Sequence, residues 1–457
     1  MRTATRMTTE ELRASLGLAG VYGLRMLGLF IILPIFAIYA EQLPGGKDHF
    51  LIGIALGAYG LTQAILQIPA GMLSDRYGRK PVIYAGLILF ATGSLIAAVA
   101  NDIYWIIAGR IIQGSGAINA AVMALTADLT REDHRTKAMA MIGMTIGVSF
   151  AVSMVLSPLL YSAIGMRGIF IMVAVLSVCA MLVVAFFIPD PAITRFHSDT
   201  EASSKRLGEV LRNRDLLRLD FGIFSLHAIL MSVFMQVPFL LIDDGLPTAS
   251  HWKVYLPVML LAFVIMVPPI IYAEKKSKLK EIFISAIVIA TIAQMALLSF
   301  HGTVLSIALA LLLFFVAFNL LEATLPSLIS KTAPLSSKGT AMGVYSSVQF
   351  LGAFFGASAG GFLMQYSGGN AVFIFAIVLL LVWLLTAGGM RSPAAVRTRM
   401  YSLPPMDEAA ATLLQNRLMQ LKGVREAMVV ASEQMACIKA DVHGFDEMGA
   451  KQLLKNR

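Results

Sequence analysis

Apolar runs long enough to cross a lipid bilayer recur along most of this chain, and they restrict its fold more than any other feature. A spanning helix needs ~20 mainly apolar residues. Twelve runs qualify, at roughly 15–40, 51–73, 81–100, 103–128, 138–163, 168–189, 217–242, 253–273, 282–300, 303–330, 339–365 and 370–390. They are continuously apolar rather than alternating, so helices are expected and a β-barrel is not. Composition agrees: 58% of residues are apolar and 14% charged, against about 25% charged in a soluble domain. Such a chain cannot cover its apolar mass with charge, and the partner this implies is the lipid bilayer. Arg2, Arg6 and Arg13 precede an apolar stretch in the manner of a signal peptide. That stretch runs to about Ala40, too long for an h-region, and is read as an uncleaved first span.

The basic residues lie between the runs. One set of loops holds Lys47, Arg167 and Lys253; the other holds Arg76, Arg79, Lys80, Arg131, Arg135, Lys137, Lys275, Lys276, Lys278, Lys280, Lys331 and Lys338. The net charge of +9 is thus topogenic, and no basic patch with interleaved aromatics suggests nucleic acid. The positive-inside rule places the second set, and with it both termini, in the cytoplasm. The polar segment 191–216 divides the spans into six-helix halves, 1–190 and 217–390. From Arg206 to Leu217 an amphipathic surface helix is expected.

After Arg391 the character changes. Residues 396–403 read as a strand, 406–421 as a helix capped by Asp407, Val424–Ala431 and Gln434–Val442 as a hairpin turning at Ser432-Glu433, and 445–455 as a second helix. This β-α-β-β-α order is ferredoxin-like without its last strand, giving a small α+β domain at 391–457. Similar folds bind heavy metals through a CxxC after the first strand. Here that position reads Leu403-Pro-Pro-Met406-Asp407, so a thiolate metal site is rejected. Cys437 and His443 are isolated, and no cofactor is implied. The domain leaves room for self-association or a regulatory ligand.

The densest motif is Gly71-Met-Leu-Ser-Asp75-Arg76-Tyr-Gly78-Arg79-Lys80, between the second and third runs. Topogenic charge would explain Arg76 and Lys80 but not Gly71, Asp75 and Gly78. The segment resembles the loop signature of the major facilitator superfamily at every fixed position. That resemblance implies an all-α membrane fold of twelve helices in two halves. It also implies that Arg79 pairs with an acid at the end of the fourth span, where Asp128 stands, in a gating latch. The second half carries a degraded copy, with Glu274 aligned to Asp75 and Lys278 to Arg79 and the glycines missing. Arg110-Ile-Ile-Gln113-Gly114-Ser-Gly116 resembles the family's second motif, whose arginine is tied to proton coupling; snorkelling of Arg110 is the plainer alternative. The antiporter motif of the fifth span is eroded to Ser153, Ser157 and Pro158, the last marking a kink.

One ionisable residue near membrane depth lies in each of four spans: Arg25, Arg110, His227 and Glu322. Charges there are functional candidates by default. His227 is ten residues and Glu322 eight residues from the basic edge, about 15 and 12 Å at the helical rise, so the two can pair. Asp220 lies nearer that edge and is read as a cap or a partner for linker cations. Gln63, Gln67, Gln113, Asn119, Gln236, Asn319 and Gln349 could line a polar path or serve as helix–helix glue.

No phosphate-binding loop is present, since Gly114-Ser-Gly116 lies inside a span rather than between strand and helix. No enzyme is suggested. The resemblance implies a bacterial inner-membrane secondary transporter of the drug:proton antiporter type, moving a small-molecule substrate against protons by alternating access. A uniporter or importer, and a non-transporting sensor reading a cytoplasmic ligand through its tail, are the alternatives.

Overall fold

The computed structural model describes residues 7–190, 204–276, 278–300, 302–390, 396–431, 434–441 and 444–455. Helices α1 (Thr9–Phe30), α2 (Phe36–Glu41), α3 (His49–Tyr77), α4 (Arg79–Ala98), α5 (Ile103–Ser115), α6 (Asn119–Asp128) and α7 (Glu132–Phe186) come first. After α8 (Ser204–Val210) follow α9 (Arg214–Asp243), α10 (Trp252–Lys276), α11 (Leu279–Ser299), α12 (Val304–Thr332), α13 (Lys338–Ser367) and α14 (Asn370–Gly388). The tail supplies β1 (Val396–Ser402), α15 (Glu408–Met419), β2 (Val424–Val430), β3 (Met435–Asp441) and α16 (Glu447–Lys455).

Among the described residues, ten helical stretches are long and apolar enough to cross a bilayer. One of them, Lys137–Phe186, is two crossings, because the backbone leaves helical angles at Gly165 (φ 65°). The first apolar run, as α1 and α2, brings the count to twelve. Only helices are available to such segments, since lipid offers no partner for a free peptide group. Large apolar side chains such as Leu385, Phe186, Val264 and Leu305 face outward, where the surrounding lipid is their solvent.

Four details depart from the sequence reading. The first run is interrupted by turns at 31–35, and the fourth breaks at residues 116–118. Helix α7 runs on through Pro158, and the turn between its two crossings, which the apolar runs leave at 164–167, falls at Gly165. The expected 206–217 helix ends at Val210, because Asn213 starts α9 by accepting from the Asp215 and Leu216 amides. The stretch 191–203, Ser277, the Ser432-Glu433 turn and His443 lie outside the described residues.

Helix contacts are closest where glycines stand. Along α13, a Cβ on Gly352 would meet backbone of Phe224, on Gly356 that of Ala228, and on Gly360 that of Ser232. These pairs put α13 against α9 in parallel register. On another side of α13, glycines of α3 do the same: a Cβ on Gly53 would meet the Ala357 carbonyl, on Gly57 Phe354, and on Gly60 the Phe350 carbonyl. Where no hydrophobic force drives helices together, such backbone contact supplies the dispersion that does.

The tail is a three-stranded antiparallel sheet of order β1-β3-β2 with α15 and α16, and Asp407 caps α15 through the Ala410 amide. Central strand β3 is buried on both faces. Ala436, Ile438 and Ala440 pack with Leu403, Leu414, Leu418 and Ala450. Met435 and Cys437 instead pack with Leu335, in the connection between α12 and α13. Two polar contacts flank that patch: Lys439 Nζ donates to the Ala333 carbonyl (3.0 Å), and the Leu335 amide donates to Glu426 Oε1 (2.8 Å).

Candidate functional site

Helices α3 and α4 are joined by Gly78 alone, in the left-handed region (φ 93°) that favours glycine. The tight joint brings Arg79 back beneath α3. Its guanidinium donates to Ser74 Oγ (2.9 Å), to the Asp75 carboxylate, and to Asp128 Oδ2 (3.3 Å) at the end of α6. The Arg79 and Asp128 side chains are almost wholly buried, whereas Asp75 is one-third exposed. Gly71 faces α6, where a Cβ would stand 3.0 Å from that of Ala120. Arg76 does not join the cluster; it is exposed and lies over its neighbour Tyr77 (5.4 Å). In the degraded copy, Lys278 lies over the Tyr272 ring (5.9 Å). A tie that the sequence reading missed stands nearby: Arg131 grips Glu11 with two nitrogens (2.8 and 2.9 Å). The Thr8–Glu11 capping box was the only local signal of it.

Arg25 and Arg110 are both buried within the first six crossings. Arg25 donates to Asn119 Oδ1 (2.5 Å), Gln63 Oε1 (2.8 Å) and the Gly116 carbonyl (2.8 Å). Gly116 sits in the break between α5 and α6 with non-helical angles, so its carbonyl needs a partner from outside the helix. Arg110 donates to Gln113 Oε1 (2.6 Å) and the Leu56 carbonyl (3.2 Å); it does not snorkel. The Tyr59 ring serves both cations, 6.0 Å from the Arg25 guanidinium and 5.1 Å from that of Arg110. Desolvated cation–π contacts are worth about 2 kcal/mol. The partners shown for both guanidiniums are neutral oxygens and aromatic rings. Ser153 of the eroded fifth-span motif donates to the Leu27 carbonyl of α1, and Ser149, one turn before it, to the Gly23 carbonyl.

The later crossings hold the complementary charge. His227 Nε2 on α9 lies 3.9 Å from Glu322 Oε2 on α12. Between them the Gln349 amide of α13 lies 2.8 Å from His227 Nε2 and 3.4 Å from Glu322 Oε1. The expected pairing is therefore present, with an amide from the third helix as its bridge. Phe350, next to Gln349, packs on Tyr59 with ring centroids 6.1 Å apart. Tyr22 on α1 lies within electrostatic range of both Arg25 and Glu322, which sets a group of the first crossing between a cation of the earlier crossings and the carboxylate of the later ones.

Asp220 is corrected. It is 3% exposed, and neither carboxylate oxygen has a hydrogen-bond partner among the described residues. It does not cap α9, which Asn213 does, and among the described residues it pairs with no linker cation; Arg218 turns to Asp215 and the Gly389 carbonyl instead. Asp220 precedes His227 by two helical turns and shares its face. A separate cleft of about 680 Å³, lined by Tyr39, Gln42, Tyr161 and Arg167 among others, contains none of these groups.

Residues 18–357 match the family model of the Major Facilitator Superfamily. The chain belongs to that superfamily. It is 45% identical over 436 residues to the inner membrane transport protein YajR of Escherichia coli K12, covering 95% of this chain and 96% of that protein. It is 26% identical over 346 residues to the multidrug resistance protein MdtH of Aeromonas salmonicida, covering 75% and 85%. A solved bacterial homolog of the human lysosomal transporter Spinster, inward-facing and unoccupied, matches with TM-score 0.67 at 14% identity, over 84% of this chain and 98% of that one. The human organic anion transporter MFSD10 matches with TM-score 0.65 at 18% identity, over 83% and 100%. The last two establish the fold alone. The protein is thus a multi-pass membrane transporter of this superfamily.

Proposed function

We propose that the chain is a proton-coupled secondary transporter that exports a small molecule by alternating access. Its halves, 1–190 and 217–390, are joined by 191–216, and the basic loops and both termini face the cytoplasm. Glu322 carries the exchanged proton, shared with His227 through Gln349. One observation supports this above all: a half-buried carboxylate, its side chain one-third exposed, held by an amide and an imidazole in a bundle whose α1 carries a buried guanidinium. Such an acid can release its proton when charge arrives beside it, and that links proton and substrate. Arg79, Asp75 and Asp128, with Gly71 and Gly78, form the gating latch at the cytoplasmic end; Arg76 contributes topogenic charge. Arg25 and Arg110 set the field of the first half. The backbone contacts of α3 with α13 lie in the half of α3 remote from the basic end, and we read them as the closed part of the seam between the two halves. The similarity to a protein named for multidrug resistance supports export.

The test needs a substrate first. A thermal-shift screen of amphipathic cations and organic anions should find one, since a ligand at 100 times its Kd stabilises by about 2.7 kcal/mol. Proteoliposomes loaded with a pH-sensitive dye should then show a pH change on adding the hit, and Glu322→Gln should abolish it while leaving downhill flux. An undiminished pH change in that variant removes Glu322 from the mechanism. Uniport, favoured by the eroded fifth-span motif, predicts net flux that survives collapse of the proton gradient.

A further inference from the structure

Three groups of buried oxygen without a hydrogen-bond partner lie along one side of α9, α12 and α13. They are both oxygens of Asp220, the Tyr345 hydroxyl, and Oε2 of Glu322. Asp220 and Tyr345 are 3% and 4% exposed. A buried carboxylate with no partner is expensive, and a native fold keeps one where water or a proton visits it. The geometry orders these groups. Tyr345 and Gln349 are one turn apart on α13, and Asp220 and His227 two turns apart on α9. The parallel register fixed by Gly352 against Phe224 and Gly356 against Ala228 sets Asp220 level with the turn from Tyr345 to Gln349. Tyr345 is within electrostatic range of both Asp220 and Glu322. Gln349 then touches His227 and Glu322 directly.

We propose that Asp220 and Tyr345 form the path by which protons pass between the basic end of the bundle and Glu322. The inference rests on the coupling role of Glu322 and adds its route. A proton from water binds the Asp220 carboxylate. None of the three groups is within hydrogen-bond distance of the next, so water entering between them carries the proton to the Tyr345 hydroxyl. That hydroxyl accepts it on an oxygen lone pair while releasing its own proton, again through water, toward Glu322; the phenol is unchanged and one proton has moved. The groups shown within reach of this file are Glu322 from α12 and His227 from α9, with Tyr22 of α1 in electrostatic range of Glu322 and of Arg25. Arg218, the nearest cation on α9, is held by Asp215 and the Gly389 carbonyl and leaves Asp220 uncompensated. Asp220 and Tyr345 are positioning residues; they touch neither substrate nor the latch.

The experiment needs no substrate, because the probe is the proton. The full chain in lipid nanodiscs is given a rapid acid jump, and the infrared band of a protonated carboxyl is followed. The Glu322 band is the one lost in Glu322→Gln. In Asp220→Asn and Tyr345→Phe it should reach the wild-type amplitude about a hundredfold more slowly, the low end of what a positioned proton-transfer group contributes. Asp220→Glu should recover most of the rate. Unchanged kinetics in both variants would overturn the path while leaving Glu322 as coupling group. Equal slowing by Asp220→Glu and Asp220→Asn would assign the effect to packing and also overturn it. A wild-type protein with no Glu322 band between about pH 5 and pH 9 would instead refute the coupling role.

Discussion

Replacing Leu335 by aspartate should release the tail from the membrane bundle. Leu335 is 4% exposed and packs with Met435 and Cys437, and burying such a side chain stabilises by about 1.5–3 kcal/mol. An aspartate there loses that contribution. It also sets a carboxylate among apolar groups, beside the Glu426 carboxylate that accepts the residue's own amide, for roughly 1–3 kcal/mol more. The tether is unchanged, so the effective concentration of the tail is too. The sum is about 4 kcal/mol, which at 1.4 kcal/mol per decade lowers the docked-to-undocked ratio by about 10³. Cys437, 2% exposed on the docked face, reports it directly. With exposed Cys179 replaced by serine, maleimide should label Cys437 slowly in the Cys179→Ser parent and rapidly in the Leu335→Asp derivative. An unchanged labelling rate would show that Leu335 does not hold the tail, and the reasoning would fail.

Other outcomes follow from the same geometry. Gly356→Leu should lower the thermal unfolding midpoint by an amount equivalent to about 3 kcal/mol, because its Cβ collides with the Ala228 backbone; Gly208→Ala, with open space around it, should match or slightly raise the wild-type value. Asp128→Asn should destabilise by roughly 3 kcal/mol, the low end for breaking a buried ion pair, because Asp75 still receives Arg79; chemical denaturation in detergent measures it. Burial lowers the Lys439 ammonium below its ordinary value of 10.5. The docked state therefore binds fewer protons there than the undocked state, and docking should tighten as pH rises toward 10.5. Spin-label distances between Leu413 and Tyr77, both exposed, should shorten or sharpen over that range, and Lys439→Met should flatten the response.

The crossings and the tail elements were legible because apolar length and alternation are local properties of the chain. The Arg79–Asp128 and His227–Glu322 pairings were legible because signature and depth each point to one partner. The breaks at 31–35 and 116–118 were not, since the apolar runs continue through them; the second depends on Arg25 taking a carbonyl 91 residues away. Tyr59 between two guanidiniums brings together three separate spans, which no spacing rule reveals. Asp220 was misread for a related reason. Its distance from the span edge suggested water, but the face it shares with His227 turns it inward.

Helix α13 meets α9 backbone to backbone through its own glycines, and meets α3 through the glycines of α3. Backbone meets backbone at successive turns of the α9 seam, and His227 and Gln349 are joined across it, so α9 and α13 move together more readily than apart. The bridge from Gln349 to His227 and Glu322 is therefore nailed to a rigid piece. Any rocking that follows a change at Glu322 has to slip along the α3 seam, where Phe350 leans on Tyr59.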